Sequence, residues 1–159
     1  IIGKEKIMQV AQDTFISSTY WTERLGPVAA LATIKKFIGC NVSRYLIAVG
    51  KKVRNGWFEL AARHSLKIAA SGMLPLSHFS FEYSNPLELK TLFTQLMLKK
   101  GFLATNAFYA SYAHKEKDLL KYLDAVDEVF VFMARAIRQN AVKKHLKGPV
   151  CHGCFKRIA

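Results

Sequence analysis

The stretch His78-Phe79-Ser80-Phe81-Glu82-Tyr83-Ser84-Asn85-Pro86-Leu87-Glu88 holds two periods side by side. Over its first six residues Phe79, Phe81 and Tyr83 fall on one side, the two-residue period of a half-buried strand. From Asn85 the signals are those of a helix start. Asn is placed to cap, Pro takes the first position where its missing N–H costs nothing, and Glu at the third can reach back to the exposed amides. The helix then carries Leu89, Leu92, Phe93 and Leu96 to a basic last turn and a glycine stop, Lys99-Lys100-Gly101. A strand handed straight to a helix makes the chain α/β or α+β.

Working outward, residues 66–70 read as a partner strand and Ser71-Gly72 as the turn between them. Residues 102–104 read as a further short strand. Downstream, Leu119, Leu123, Val126, Phe130, Met133 and Ile137 recur by fours and threes, which puts them on one stripe of a long helix. Upstream, Leu46, Val49, Val53, Trp57 and Leu60 mark another, with Lys51, Arg54 and Glu59 opposite. Pro27 opens an earlier helix whose stripe is Val28, Leu31, Ile34 and Ile38, broken at residues 40–43. Residues 4–12 read as a short helix and residues 14–18 as a short strand. Beyond Asn140 the chain is basic and reads as an untethered, flexible tail. The expected fold is therefore α/β, with an α+β small domain built on a small antiparallel sheet and flanking helices. Three segments are expected: residues 1–40, 41–145 and a basic tail at 146–159.

The chain of 159 residues is 51% hydrophobic and 22% charged, ordinary values for a globular protein. Charges interrupt every apolar run, so no membrane-spanning segment is expected. The formal net charge of +13 invites a nucleic-acid reading. The basic residues are scattered over the polar sides of several helices, however, and form no recognition signature, so nucleic acid is not an expected partner. Cys40, Cys151 and Cys154 are too few for a disulfide framework, which points to a reducing, cytoplasmic setting. Cys151-His152-Gly153-Cys154 is half of a zinc or redox motif with no second pair, and no metal site is expected from it.

Three further stretches carry a resemblance, the last being Asp124-Ala125-Val126-Asp127-Glu128-Val129-Phe130, which continues the final helix in the same style. Ser18-Thr19-Tyr20-Trp21-Thr22-Glu23-Arg24-Leu25-Gly26-Pro27-Val28-Ala29-Ala30-Leu31-Ala32 resembles the strand–turn–helix of class III pyridoxal-phosphate aminotransferases. Gly101-Phe102-Leu103-Ala104, then Phe108-Tyr109-Ala110-Ser111-Tyr112 and Ala113-His114-Lys115-Glu116-Lys117-Asp118, resembles that family's substrate-side loop and its entry into the final helix. The similarity runs over nearly the whole chain and is nearest the glutamate-1-semialdehyde aminomutase branch. It implies the C-terminal portion of a fold type I enzyme: residues 1–40 would end the large cofactor-binding domain and residues 41–145 would be the small domain. It also implies a homodimer, pyridoxal 5'-phosphate as cofactor, and amino transfer between a small amino donor and a carbonyl acceptor. The alternative is a non-catalytic truncated paralogue that serves as a dimerisation or interaction module.

The same resemblance assigns residues. The Schiff-base lysine is expected upstream of Ile1, so no catalytic residue is expected within this chain, and neither Lys4 nor Lys6 has the family context. A hydroxyl at the strand end would bind the cofactor phosphate. Matching from the strand points to Thr19 first and Ser18 second, while matching back from Pro27 points to Thr22. Small donors at a turn ahead of a helix N-terminus suit a dianion, although Ser and Thr there also serve simply as caps. Arg24 could grip a substrate carboxylate or pair with Glu23. Tyr109 stands where the aminomutase branch carries a Glu, which favours intermolecular transamination with Tyr109 on the substrate side. His78 and His114 are read as structural.

Overall fold

A computed structural model of the chain describes residues 3–15 and 23–153. They divide into two compact units, Ile1–Cys40 and Asn41–Ala159.

In the first unit, α1 (Glu5–Met8) runs into a 3-10 turn over Gln9–Asp13, and α2 spans Leu25–Gly39 with Pro27 in its first turn. Thr14 and Phe15, expected to begin a strand, are irregular, and residues 16–18 of that expected strand lie outside the described residues. No residue of α2 is buried. Leu25, Val28, Leu31, Ile34 and Ile38 are all exposed large apolar side chains.

The second unit comprises α3 (Val42–Arg63), β1 (Ile68–Ser71), β2 (Leu76–Phe81), α4 (Pro86–Lys99), β3 (Ala107–Tyr109), α5 (Glu116–Arg138) and a 3-10 turn at Val142–His145. The sheet order is β1-β2-β3, antiparallel throughout, with Ile68 opposite Phe81 and Leu76 opposite Tyr109. Phe79 and Phe81 point from β2 into the core, as the alternation predicts. Phe79 is its hub: the rings of Trp57, Phe81 and Phe93 meet it edge-on at 4.9, 5.3 and 5.2 Å. Such edge contacts are the favoured arrangement of aromatic rings.

Helices α3, α4 and α5 end by the same device. A residue with left-handed backbone follows each: Ser65 (φ 56), Gly101 (φ 85) and Asn140 (φ 51). In each case two amides turn back to the last turn, as with Gly101 N to Leu98 O at 3.0 Å and Phe102 N to Met97 O at 3.0 Å. This is the Schellman arrangement, which satisfies carbonyls that the helix leaves open. It also shifts two expected strands. Leu66 is used to close α3, so β1 begins at Ile68 rather than Leu66. Phe102 is used to close α4, and the strand expected at residues 102–104 forms instead at Ala107–Tyr109.

Close approaches fix the packing of α3. A Cβ on Gly50 would lie 1.8 Å from the Leu74 carbonyl oxygen, and one on Gly56 would lie 2.6 Å from Leu123. One turn beyond Gly50, Arg54 reaches the β1–β2 connection. Its Nη2 donates to Gly72 O at 2.5 Å and to the buried Ser77 Oγ at 2.8 Å. The turn that reverses the hairpin is thus tied to the helix beneath it.

Two expectations, at the start of α4 and at the end of the chain, are corrected. Asn85 makes no side-chain cap bond to α4; its Nδ2 donates to Glu88 Oε2 at 2.9 Å. The carboxylate that was to reach back to the amides is held by the cap residue's own side chain. The segment after α5 is not untethered. Gln95 on α4 donates to His145 O and accepts from Lys147 N, both at 2.8 Å, and Cys151 N donates to Thr91 Oγ1 at 2.9 Å. Polar groups on the open side of α4 thereby supply backbone partners that composition alone does not reveal.

Candidate functional site

Residues 102–110 follow the stop at Gly101 as an open arm that crosses β2 and returns to α5. The arm is fastened at several points. Phe79 N donates to Asn106 O at 2.9 Å, Asn106 Nδ2 donates to Phe79 O at 2.6 Å, and Ala110 N donates to Pro75 O at 2.8 Å. The inner side of the arm is aromatic. Phe102 meets the Tyr122 ring at 5.9 Å, and Phe108 lies tilted against Tyr122 at 5.7 Å and against the His114 imidazole at 5.2 Å.

Between the arm and the first turns of α5 lies a groove of about 310 Å³. It is lined from the arm by Phe102, Leu103 and Ala104, from β3 by Ala107, Phe108 and Tyr109, and from the approach to α5 and its first turns by His114, Asp118, Leu119 and Tyr122. Several of the polar atoms around it are already engaged. His114 Nδ1 accepts from Ser111 N at 3.1 Å, which leaves Nε2 to carry the ring proton in the neutral form. Asp118 Oδ2 accepts from Lys115 N at 2.9 Å, half of a capping box at the start of α5. The Tyr122 hydroxyl accepts from Trp57 Nε1 at 3.1 Å, and burial pushes its phenol up, so it stays neutral at ordinary pH. Among the described residues that line the groove there is no lysine or arginine. What it offers is a largely apolar surface with one carboxylate at its edge.

A second cleft, of about 470 Å³, lies between the start of α4 and the end of α5. Lys143 Nζ there stands 3.3 Å from Glu88 Oε1. The hydrogen bond from Asn85 holds the Glu88 carboxyl below the usual carboxylate range, with Lys143 adding to the effect and partial loss of water opposing it. Among the described residues no group of three or more His, Cys, Asp or Glu side chains is placed to hold a metal ion. No helix among them is long and apolar enough to cross a membrane.

Of the residues singled out in the sequence, Tyr109 lines the groove, and 70% of its surface is open. Arg24 is the residue ahead of α2, makes no side-chain cap bond, and forms no ion pair with Glu23 among the described residues. Ser18, Thr19 and Thr22 lie outside the described residues, as does Cys154. The sequence reading missed Phe102, Phe108 and Tyr122 as lining residues, and took His114 as structural only. The available signal was an aromatic at 102, 108, 109 and 112 in one irregular segment, denser than a solvated loop needs. His78 does act as structure: its Nε2 meets Ser71 Oγ at 2.9 Å across the β1–β2 pair.

No family model matches the chain. It is 23% identical over 137 residues to an aminopentol aminotransferase of Sphingopyxis macrogoltabida, which covers 85% of this chain and 32% of that protein. It is 29% identical over 82 residues to a 2'-deamino-2'-hydroxyneamine transaminase of Streptomyces kanamyceticus, covering 52% of this chain and 21% of that one. Among solved structures it matches the pyridoxal-phosphate internal aldimine form of the FumI protein of Sphingopyxis sp. MTA144, with a TM-score of 0.77 and 24% identity. That match covers 86% of this chain and 34% of the FumI chain. The chain thus spans between about a fifth and about a third of the length of these relatives. Its relatives in sequence are aminotransferases, and its fold is that of a fold type I C-terminal domain, a small antiparallel sheet with flanking helices.

Proposed function

We propose that this chain is the C-terminal portion of a class III aminotransferase, related to the aminomutase-like branch, that moves an amino group between an amino donor and a carbonyl acceptor as a homodimer. Support comes above all from one observation: over 86% of its length the chain follows the backbone of a pyridoxal-phosphate protein at a TM-score of 0.77. Both curated relatives are named for amino transfer and differ in substrate, so they favour the reaction and leave the substrate open.

Pyridoxal 5'-phosphate, when bound, supplies an electron sink for the carbon that loses its proton. The groove fits a substrate wall better than a phosphate seat, because its described lining carries no cation. The phosphate role falls to Thr19, with Ser18 and Thr22 as the alternatives, all small hydroxyls ahead of the α2 N-terminus. Arg24 would hold a substrate carboxylate by its guanidinium. Tyr109 and its neighbours would exclude water from one side of the substrate and fix its orientation. Residues 1–40 would then end the cofactor-binding domain, and residues 41–145 would form the small domain.

The coding sequence upstream of Ile1 tests this. A frame that continues through a lysine shortly before a Gly-Tyr-Pro-like run, in a product that transfers an amino group to a keto acid, is the expected result. A start codon at Ile1 and a product without amino transfer would overturn it and leave a non-catalytic interaction module.

A further inference from the structure

We infer that the cleft between the start of α4 and the end of α5 binds a free aliphatic α-amino acid as its zwitterion, with the ammonium on Glu88 and the carboxylate on Lys143. The cleft holds about 470 Å³, and small-molecule sites run from about 300 to 1,000 Å³, so an amino acid fits whole. It is a separate place from the groove beside the arm. The groove meets the first turns of α5 and the cleft meets its last, and a helix of 23 residues sets its ends roughly 35 Å apart. The inference stands apart from the amino-transfer reading and assigns these residues no part in a chemical step.

Charge decides the ligand class. Glu88 Oε1 and Lys143 Nζ stand 3.3 Å apart in the cleft lining. The two differ in freedom. The Glu88 side chain is 17% exposed and its other oxygen accepts from Asn85 Nδ2 at 2.9 Å, whereas the Lys143 side chain is 79% exposed on a flexible stem. Glu88 is a fixed anion and Lys143 a movable cation. A ligand with an ammonium alone must displace Lys143, which is tethered beside the carboxylate at high effective concentration, so one ion pair is merely traded for another. A ligand with a carboxylate alone reaches Lys143 at the cost of standing beside Glu88. A zwitterion enters with both charges matched. Its ammonium takes Glu88, its carboxylate follows Lys143 as the stem swings aside, and the four charges alternate.

The rest of the lining suits the rest of that ligand. Ile137 and Val142 offer aliphatic surface for a side chain of a few carbons, and Tyr83 adds a ring whose hydroxyl accepts from Lys67 N at 3.1 Å. Asn85 has given Nδ2 to Glu88 and keeps Oδ1 as an acceptor for the ammonium. Ser84 and Asn140 bring a hydroxyl and an amide, which can serve either charge of the ligand. The walls are set before a ligand arrives. Asn140 is held by its left-handed place at the end of α5, and the Val142–His145 turn that carries Lys143 is fastened to α4 through Gln95 and the His145 carbonyl.

The test uses the full protein that contains this chain, held with pyridoxamine 5'-phosphate so that no amino donor is consumed. A protein that takes up no cofactor is titrated as it is. The probes are L-leucine, isoamylamine, which lacks its carboxylate, and isocaproate, which lacks its ammonium. Methyl NMR shifts of Ile137 and Val142 are followed for each. They should saturate with L-leucine at a Kd at least about tenfold below that of either analogue, the usual loss when one charge-assisted contact is removed. Glu88→Gln and Lys143→Gln should each weaken L-leucine by a similar factor. Lys143 is exposed, so its variant keeps the fold and decides the matter even where Glu88→Gln fails to fold. Silent methyls with L-leucine, an equal response to all three probes, or unchanged L-leucine binding in Lys143→Gln refutes the site. The two readings part cleanly. Binding of L-leucine here by a protein that transfers no amino group would sink the reaction and keep the cleft, and an active transaminase with silent Ile137 and Val142 methyls would do the reverse.

Discussion

Helices α2 and α3 make an instructive pair. Helix α2 is the more apolar by composition, with Leu25, Val28, Leu31, Ile34 and Ile38 at helical spacing, yet it buries no residue. Helix α3 carries Arg44, Lys51, Lys52, Arg54 and Arg63, and still buries Val42, Val49, Val53, Trp57 and Leu60 along one side. Apolar content therefore does not bury a helix. A complementary surface does, and α3 has one because Gly50 and Gly56 let the Leu74 carbonyl and the Leu123 side chain come within reach. An apolar stripe in a sequence states that a helix can be covered; only the neighbouring elements decide whether it is.

The contrast can be broken most forcefully at Trp57, which is fully buried and donates to Tyr122. Trp57→Ala should cost about 3–5 kcal/mol in chemical denaturation, the range for truncating a buried aromatic. A loss under 1 kcal/mol would mean that α3 is no better covered than α2. Gly50→Ala comes next. The new methyl would meet backbone atoms of Leu74 at 1.8 and 2.4 Å, which no rotamer change can relieve. A loss of about 1–3 kcal/mol is expected from such overpacking. An unchanged denaturation midpoint would show that the hairpin moves away freely.

A smaller effect is expected at Glu88, whose folded carboxyl is held below its ordinary value by Asn85 and Lys143. Its contribution is present above the unfolded carboxyl value, about 4.3, and is lost as pH falls through the depressed folded value. The melting difference between the unaltered chain and Glu88→Gln should therefore favour Glu88 at pH 7 and vanish in acid. A difference that grew on acidification would have the sign wrong. Smallest of all is Leu31→Ser on α2, expected to stay within about 0.5 kcal/mol because Leu31 is 59% exposed. A large loss there would reveal a covering surface that acts on this helix in solution.

Much of this was legible in the sequence. The stripe of α5, the alternation of β2 and the break after Gly39 all follow from periods that packing then used. What was not legible came from competition for backbone groups. Phe102 looks like a strand residue, but its amide closes α4 and its ring packs on Tyr122, so the strand starts five residues later. Asn85 has the identity of a cap, but a carboxylate three residues on outbids the helix amides for its side chain. Gln95 gave no sign that it would bridge His145 and Lys147, fifty residues away. For the candidate site, Tyr109 was found by resemblance, whereas Phe102, Phe108 and Tyr122 converge only once the arm has folded back on α5.

The shared ending of α3, α4 and α5 bears on how the second unit comes together in time. Each stop is closed by hydrogen bonds that reach no more than five residues back along the chain, at Ser65, Gly101 and Asn140. The lengths of the three longest rods in that unit are thus settled by neighbours, before any partner helix has been met. The β1–β2 hairpin also closes a short loop, whereas β3 reaches β2 only after α4 has intervened. What is left for the slow search is the docking of α3 on α5, where Trp57 meets Tyr122 from 65 residues away, so most of the loop entropy is surrendered there and repaid by the core around Phe79.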